Sequence, residues 1–310
     1  MEAGRRALPT ISSVKTLETP LNADLHSHSL VSDGTLEPEH LAERARANGV
    51  QLWSLTDHDE LGGQARAAAA ARANGMDYLS GVEISVSFAG ETVHIVGLGF
   101  ETTDEAMRQG LQHMRGGRER RAREMAQGLA EAGIPHAFEG ALKYVANPEL
   151  ISRTHFARYL VEIGACTNTS EVFRRFLTDG KPGFVPHQWA GLREAVRWIS
   201  DAGGIAVIAH PGRYRLGTNG EYALFTEFKA HGGRGVEVVT GSHTSADFAK
   251  YATMAEEFGL LASRGSDFHS PDESHTDLGR LPPLSPRLEP VWEALADRIQ
   301  RAGPMSAGLD

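Results

Sequence analysis

From residue 22 onward the chain alternates short apolar runs with helical periodicities. "NADLH" (22–26) and "QLWSLTDH" (51–58) read as strands. Between them "PEHLAERARANG" (38–49) reads as a helix, with Pro38 near its first position and Gly49 just past its end. An Ala-rich helix over 63–74 is closed by Gly75, and "YLSGVEISVSF" (78–88) and "ETVHIVGLGF" (91–100) predict two strands joined as a hairpin at Ala89-Gly90. The rhythm returns with a helix in "GLREAVRWISDAGG" (191–204), a buried strand in "IAVIAH" (205–210), a helix in "YALFTEFKAHGG" (222–233) and a strand in "GVEVVTG" (235–241). "SADFAKYATMAEEFG" (245–259) and "LLASRGSDFH" (260–269) repeat the cycle. Such alternation, with near-continuous apolar strands, predicts an α/β fold whose mostly parallel sheet is covered by helices.

Residues 102–185 break this pattern. They predict one long charged helix over 104–133, a turn, and a further helix from "RTHFARYLVEIG" (153–164), together an inserted helical subdomain. The sheet-bearing part is then divided between residues 21–101 and 186–290. Residues 1–20 read as a loose arm and 291–310 as a closing helix and tail.

Composition narrows the setting. With 310 residues, 41% apolar and 23% charged, the chain has the makings of an ordinary globular core. A net charge of −9 argues against broad binding to nucleic acid or to an acidic membrane, while leaving room for a small anion held by local positive charge. The insertion is the less acidic part and the better place to meet one. Cys166 is the sole cysteine, so neither an internal disulfide framework nor a cysteine-rich zinc site is available, in keeping with a reducing compartment. No run of about 18 apolar residues exists, and the first 20 residues lack the apolar stretch of a secretory signal. The expected location is the cytoplasm.

The chemistry lies at the strand ends. "ADLHSHSLVSDGT" puts His26 and His28 two apart, on one side of an extended segment, with Asp33 in the loop beyond. His58 closes the second strand, Glu83 and His94 lie in the next two, His210 ends "IAVIAH", and Asp267 and His269 follow the last strand. In parallel α/β proteins that end of the sheet is where sites are built. Imidazole and carboxylate without thiolate suit divalent Mn, Zn or Fe. Six histidines and three carboxylates are too many for one ion and point to two or three, a net positive centre able to attract phosphate and to generate a hydroxide near neutral pH. His40, His113, His136, His231 and His275 sit in polar or helical contexts and read as ordinary surface residues; His187 and His243 stay open.

"DLHSHSLVSDG", "SLTDHD", "GVEIS", "IAHPG" and "GSDFH", in this order and spacing, resemble the PHP (polymerase and histidinol phosphatase) superfamily over residues 22–100 and 186–285. The resemblance implies a distorted seven-stranded (β/α) barrel with a trinuclear metal site. By motif, His26, His28, Glu83 and Asp267 resemble the ligands of one metal, Glu83, His94 and His210 those of a second, and Asp33, His58 and His269 those of a third. Manganese is the first expectation, zinc or ferrous iron the alternatives.

The helical insertion further resembles the branch that hydrolyses nucleoside 3′,5′-bisphosphates, some members of which shorten RNA from its 5′ end. The implied reaction removes the 5′-phosphate by a metal-activated hydroxide, with Asp33, His210 and His243 as catalytic candidates. A second phosphate needs its own pocket. Ser152, Arg153 and Thr154 at a helix start, Lys181 in "DGKPGF" and Arg213 in "HPGRY" offer one. "RGGRERRARE" (115–124) mixes signs at helical spacing and reads as a solvated helix face rather than a nucleic-acid surface. The expected ligand is therefore a small nucleotide or short RNA. Histidinol phosphate, and a non-catalytic metal-binding module, are the remaining alternatives.

Overall fold

The structure is a computed structural model that describes residues 20–303. The expected arm falls almost wholly outside the described residues, as does the end of the expected tail. The first segment carries β1 (Ala23–Asp24), α1 (Pro38–Ala47), β2 (Leu52–Trp53), α2 (Gln64–Ala73) and β3 (Asp77–Tyr78). The hairpin follows as β4 (Gly81–Phe88) and β5 (Glu91–Leu98). Next come α3 (Glu105–Arg115), α4 (Arg118–Glu131), α5 (Ala137–Leu142), α6 (Arg153–Glu162) and α7 (Thr169–Val172). The last segment holds β6 (Ala190–Gly191), α8 (Leu192–Asp201), β7 (Ile205–Ile208), α9 (Gly217–Ala230), β8 (Gly235–Thr240), α10 (Ser245–Phe258), β9 (Leu261–Gly265) and α11 (Val291–Ala294).

The strands form two sheets rather than one continuous parallel sheet. β1-β2-β3 is parallel, and the other runs β6-β4-β5-β7-β8-β9. β5 is antiparallel to both β4 and β7, whereas β4–β6, β7–β8 and β8–β9 are parallel. The reversal at β4–β5 is made by Ala89 (φ 49°) and Gly90 (φ 84°), a two-residue turn with both φ positive, as tight hairpins require. Two isolated parallel bridges, Ser27–Phe268 and His58–Glu83, bring the ends of the two sheets together. All four of those residues lie in or next to the metal-ligand motifs.

The expected long helix is broken. Gly116 and Gly117 separate α3 from α4, and the two halves pack differently. Met107, Leu111 and Met114 of α3 join the core around the larger sheet. Gly110 lets α3 lie on α8, since a Cβ there would come within 2.6 Å of the Trp198 ring. From Ala122 onward the helices build a separate cluster from Met125, Leu129, Phe138, Phe156, Leu160 and Val172. The separate helical core thus begins well inside the segment 102–185. The expected closing helix shrinks to Val291–Ala294, after which Gln300 bridges back to Tyr78. Among the described residues no helix is long and apolar enough to cross a membrane.

The approach of β1 to β9 fixes where the first histidines stand. Leu25 N–H donates to the Arg264 carbonyl at 3.0 Å and Asp267 N–H to the His26 carbonyl at 2.8 Å. Gly265 between them leaves no room for a side chain, because an added Cβ would lie 2.3 Å from His26 Cβ. Gly265→Ala should therefore lower the urea midpoint by the equivalent of about 1–3 kcal/mol. Gly303→Ala, where a Cβ meets nothing within 4 Å, should leave it in place. Equal midpoints for the two variants would show that the β1–β9 contact yields freely.

Candidate metal centre

Glu83 occupies the middle of the site. It is fully buried on β4, and five imidazoles reach its carboxylate. His94 Nδ1 and His210 Nε2 each lie 2.8 Å from Oε1. His58 Nδ1, His28 Nε2 and His26 Nε2 lie 3.1, 3.2 and 3.3 Å from Oε2. Alternation along the hairpin explains His94: Glu83 pairs with Val96, and His94 is two residues further on the same face. His210 arrives at the end of β7 and His58 through its bridge to Glu83.

Asp267 and Asp33 flank this centre. Asp267 Oδ1 stands 3.3 Å from His28 Nε2 and 3.4 Å from His26 Nε2. Asp33 Oδ1 stands 3.5 Å from His269 Nε2 and 3.9 Å from His58 Nε2. Three overlapping sets result, each with its ligand atoms within 4.8 Å of one another: His26, His28, Glu83 and Asp267; His58, Glu83 and His94; and His28, Asp33, His58 and His269. All nine expected ligands come together. His58 belongs to two sets, and His210 joins through Glu83 Oε1.

The donor chemistry fits cations. Glu83 Oε2, Asp33 Oδ1 and Asp267 Oδ1 are buried without a hydrogen bond, although imidazole nitrogens stand close by. His26 Nδ1 donates to Glu237 at 2.8 Å, which turns the Nε2 lone pair toward the carboxylates and toward His28 Nε2, 3.1 Å away. Lone pairs facing lone pairs are what a metal ion requires. The buried carboxylates draw in positive charge of either kind, proton or metal ion. Burial disfavours a charged imidazole, yet Glu237, Glu83 and Asp267 hold His26 well above the usual range, and Asp267 and Glu83 push His28 up to about 10. Burial likewise opposes ionised carboxylates, but the surrounding histidines hold Glu83, Asp267 and Asp33 well below theirs. His210, by contrast, is pushed down to about 4 by burial and Arg213. The centre demands positive charge.

Several supporting residues carried no clear signal in the sequence. Glu237 accepts from both His26 Nδ1 and the His210 backbone N–H, at 2.8 and 2.7 Å. Its trace was a lone carboxylate inside the apolar run "GVEVVTG". Asp57, beside His58, accepts from Ser29 N–H, Ser29 Oγ and Ser32 Oγ, fixing the loop that carries Asp33. Burial outweighs these hydrogen bonds and pushes its carboxyl up to about 6. His155 is fully buried, accepts from Ser152 N–H at 3.0 Å through Nδ1, and has no partner at Nε2. Burial pushes it down to about 4.

The anion-directed candidates divide. Ser152, at the start of α6, places Oγ 3.5 Å from Asp33 Oδ2, so this helix begins beside the cluster of ligand candidates. Arg153 forms no hydrogen bond or ion pair among the described residues; burial, then Arg213 and Arg118, hold its guanidinium below the usual value. Arg213 pairs with Asp267 at 2.8 Å. Thr154 and the exposed Lys181 make no side-chain hydrogen bond among the described residues. His243 has both ring nitrogens on backbone groups, Val238 O and Gly212 N, so it offers no proton toward a leaving group in this arrangement.

The run 115–124 is not uniformly solvated. Arg120 is 82% exposed, but Arg118 is only 4% exposed, pairs with Asp59 and lies 4.7 Å over the Trp189 ring. Arg121 lies 5.4 Å over the same ring, and burial with Arg153 and Arg118 pushes it down to about 9. Helical periodicity put two arginines on the inward face, where the aromatic partner was invisible from local spacing. His187 packs its ring edge-on to Trp189 at 4.2 Å.

Comparison with known proteins places this geometry. The sequence model of the PHP domain matches residues 24–180, which takes in the first five ligand candidates and His94 but ends before His210. A 3′,5′-nucleoside bisphosphate phosphatase of Chromobacterium violaceum is 51% identical over 280 residues, 90% of this chain and 98% of that protein. A 5′-3′ exoribonuclease of Haemophilus influenzae is 43% identical over 270 residues, 87% of this chain and 97% of that protein. The solved structure of an amidohydrolase from Chromobacterium violaceum, with sulfate bound, has a TM-score of 0.89 at 51% identity and covers 91% of this chain and 98% of that one. With its ligand motifs gathered around Glu83 and likeness running along nearly its whole length, this chain belongs to the PHP domain family.

Proposed function

We propose that this protein is a metal-dependent phosphohydrolase that removes the 5′-phosphate from nucleoside 3′,5′-bisphosphates. The observation that carries the reading is Arg153, a cation with no ion pair among the described residues, at a helix start beside Asp33 of the clustered ligand candidates. One phosphoryl group needs the metals and the other needs a cation of its own. The 51% identity to a phosphatase named for that substrate supports it, as does the sulfate held by a relative of the same fold. We further read the two bridged sheets as a distorted (β/α)7 barrel, capped by the helical segment. The nine ligands would hold two or three divalent ions, Mn²⁺ before Zn²⁺ or Fe²⁺.

Such ions supply Lewis acidity and an activated water at neutral pH. The chain does the rest. Glu83, Asp267 and Asp33 fix the charge and spacing of the centre, while Glu237 sets the His26 tautomer and anchors the His210 backbone. Arg213, tied to Asp267, stands where it can grip the 5′-phosphate, and Arg153 with the N–H groups of α6 receives the 3′-phosphate. Trp189, half-buried, carries Arg118 and Arg121 against its ring on the helical side. The second reading, a 5′-to-3′ exoribonuclease on short RNA, is favoured by the 43% identical relative.

The deciding assay runs from adenosine 3′,5′-bisphosphate through 5′-phosphorylated di- and trinucleotides. The highest kcat/KM is expected on the mononucleotide, and a preference for longer chains would replace the first reading by the second. Arg153→Ala is expected to lower kcat/KM on the bisphosphate by about 10- to 100-fold and to leave adenosine 5′-monophosphate within about threefold. An equal loss on both substrates would remove the second pocket. Dialysis against a chelator should abolish phosphate release and lower Tm, since ions bound to the folded state stabilise it by mass action. Elemental analysis of the protein reloaded with Mn²⁺ should find two or three ions per chain, and fewer in Glu83→Gln. Full metal content in Glu83→Gln would contradict its central place.

A further inference from the structure

His210 and Arg213 sit on one short turn, and that turn is under strain. His210 has φ 25° and ψ 59°, a region sparsely populated by residues with a Cβ, before a single 3-10 turn at Pro211–Arg213. Such a conformation persists only where its surroundings hold it. The His210 N–H is held by Glu237 at 2.7 Å, and Tyr214 Oη donates to the Ala209 carbonyl at 2.7 Å. The third restraint is the Gly212 N–H, which donates to His243 Nε2 at 3.0 Å.

His243 is built for that acceptor role. Gly212 brings a donor, so Nε2 must present its lone pair and the proton must lie on Nδ1. Nδ1 in turn donates to the Val238 carbonyl at 3.2 Å. The ring is 8% exposed and stacks on Tyr251 of α10 at 4.8 Å and 22°, and Tyr251 Oη is held by Glu221 at 2.6 Å. Burial depresses the imidazolium form, which keeps the Nε2 lone pair available. The fit is close on the other side too, since a Cβ at Gly212 would lie 3.0 Å from His243 Nε2.

We propose that His243 is a positioning residue whose Nε2 holds the Pro211–Arg213 turn, so that His210 and Arg213 meet the metal centre together, and that it does not protonate the leaving group. The proposal rests on the phosphohydrolase reading for its kinetic consequence alone. Its only N–H is spent on Val238, whereas a general acid would need one facing the substrate.

The test compares His243→Phe, which keeps the ring but loses the acceptor, with His243→Gln, whose Oε1 can replace Nε2. His243→Phe is expected to lower kcat/KM about 10- to 100-fold, as small misplacements of catalytic groups do, and equally on adenosine 3′,5′-bisphosphate and p-nitrophenyl phosphate. It should also bind less Mn²⁺ per chain, while His243→Gln stays within about threefold of the parent on all three measures. A loss confined to the nucleotide, with p-nitrophenyl phosphate unaffected and Gln no better than Phe, would make His243 the acid and overturn the proposal. So would unchanged kinetics and metal content in Phe. Nitrogen-15 NMR of the imidazole should find Nδ1 protonated and Nε2 bare, and the opposite tautomer would overturn it independently of any activity. If the parent enzyme releases no phosphate from the bisphosphate, the substrate reading falls, and tautomer and metal content still decide the role of His243.

Discussion

A carboxylate buried at the meeting of two sheets sets the terms for the rest of this molecule. Glu83 lies on β4 with no exposure and touches five imidazoles drawn from four separate stretches of chain. Removing a carboxylate from water costs several kcal/mol unless charge and hydrogen bonds compensate. The histidines that follow β1, β2 and β7, and His94 within β5, can compensate only if those segments meet at one place. The antiparallel β4–β5 hairpin and the bridges at Ser27 and His58 bring that about. The centre is as much a reason for the topology as a product of it.

Around the centre a second set of carboxylates does the orienting. Glu237 fixes one ring and one backbone N–H, and Asp57 ties the loop of Asp33 to the end of β2. Asp24 receives N–H groups from Ser266 and Gly279, so the segment bearing Asp267 is fastened to β1. Each of these acids satisfies backbone donors that would otherwise be buried without partners. Such a frame leaves Glu83 Oε2, Asp33 Oδ1 and Asp267 Oδ1 free of hydrogen bonds while allowing them little room to move.

The ligand candidates were legible because their spacing is short-range: H-x-H, D-x-H and strand-terminal histidines survive without knowledge of pairing. The hairpin was legible through Ala89-Gly90. The division into two sheets was not, because β1, β2 and β3 are two residues long and periodicity cannot report how so short a strand pairs. Glu237 was hidden because one carboxylate in an apolar strand looks like an exception until its partners are known. Arg118 and Arg121 were hidden for a related reason. The charge pattern of α4 is amphipathic, but only the tertiary partner Trp189 shows that Arg118 and Arg121 turn inward alongside the apolar Ala122, Met125 and Leu129. His155 was concealed by its place in a helix start, where Ser152 was the expected actor.

Net charge and local charge pull in opposite directions here, and local charge decides what binds. The chain carries −9, so a long polyanion gains nothing from its overall field. Beyond roughly 8–10 Å that field is screened at physiological salt. Within that range Arg153 stands near Arg213 and Arg118, and Arg121 stands near Arg153 and Arg118. Burial of Arg121 and Arg153 already costs their charged forms stability, and mutual repulsion adds to it. An anion bound among them would relieve both, and by more the closer it stands. On the proposed reading, selection would therefore rest on how far apart a ligand's two phosphates stand and not on how many it has.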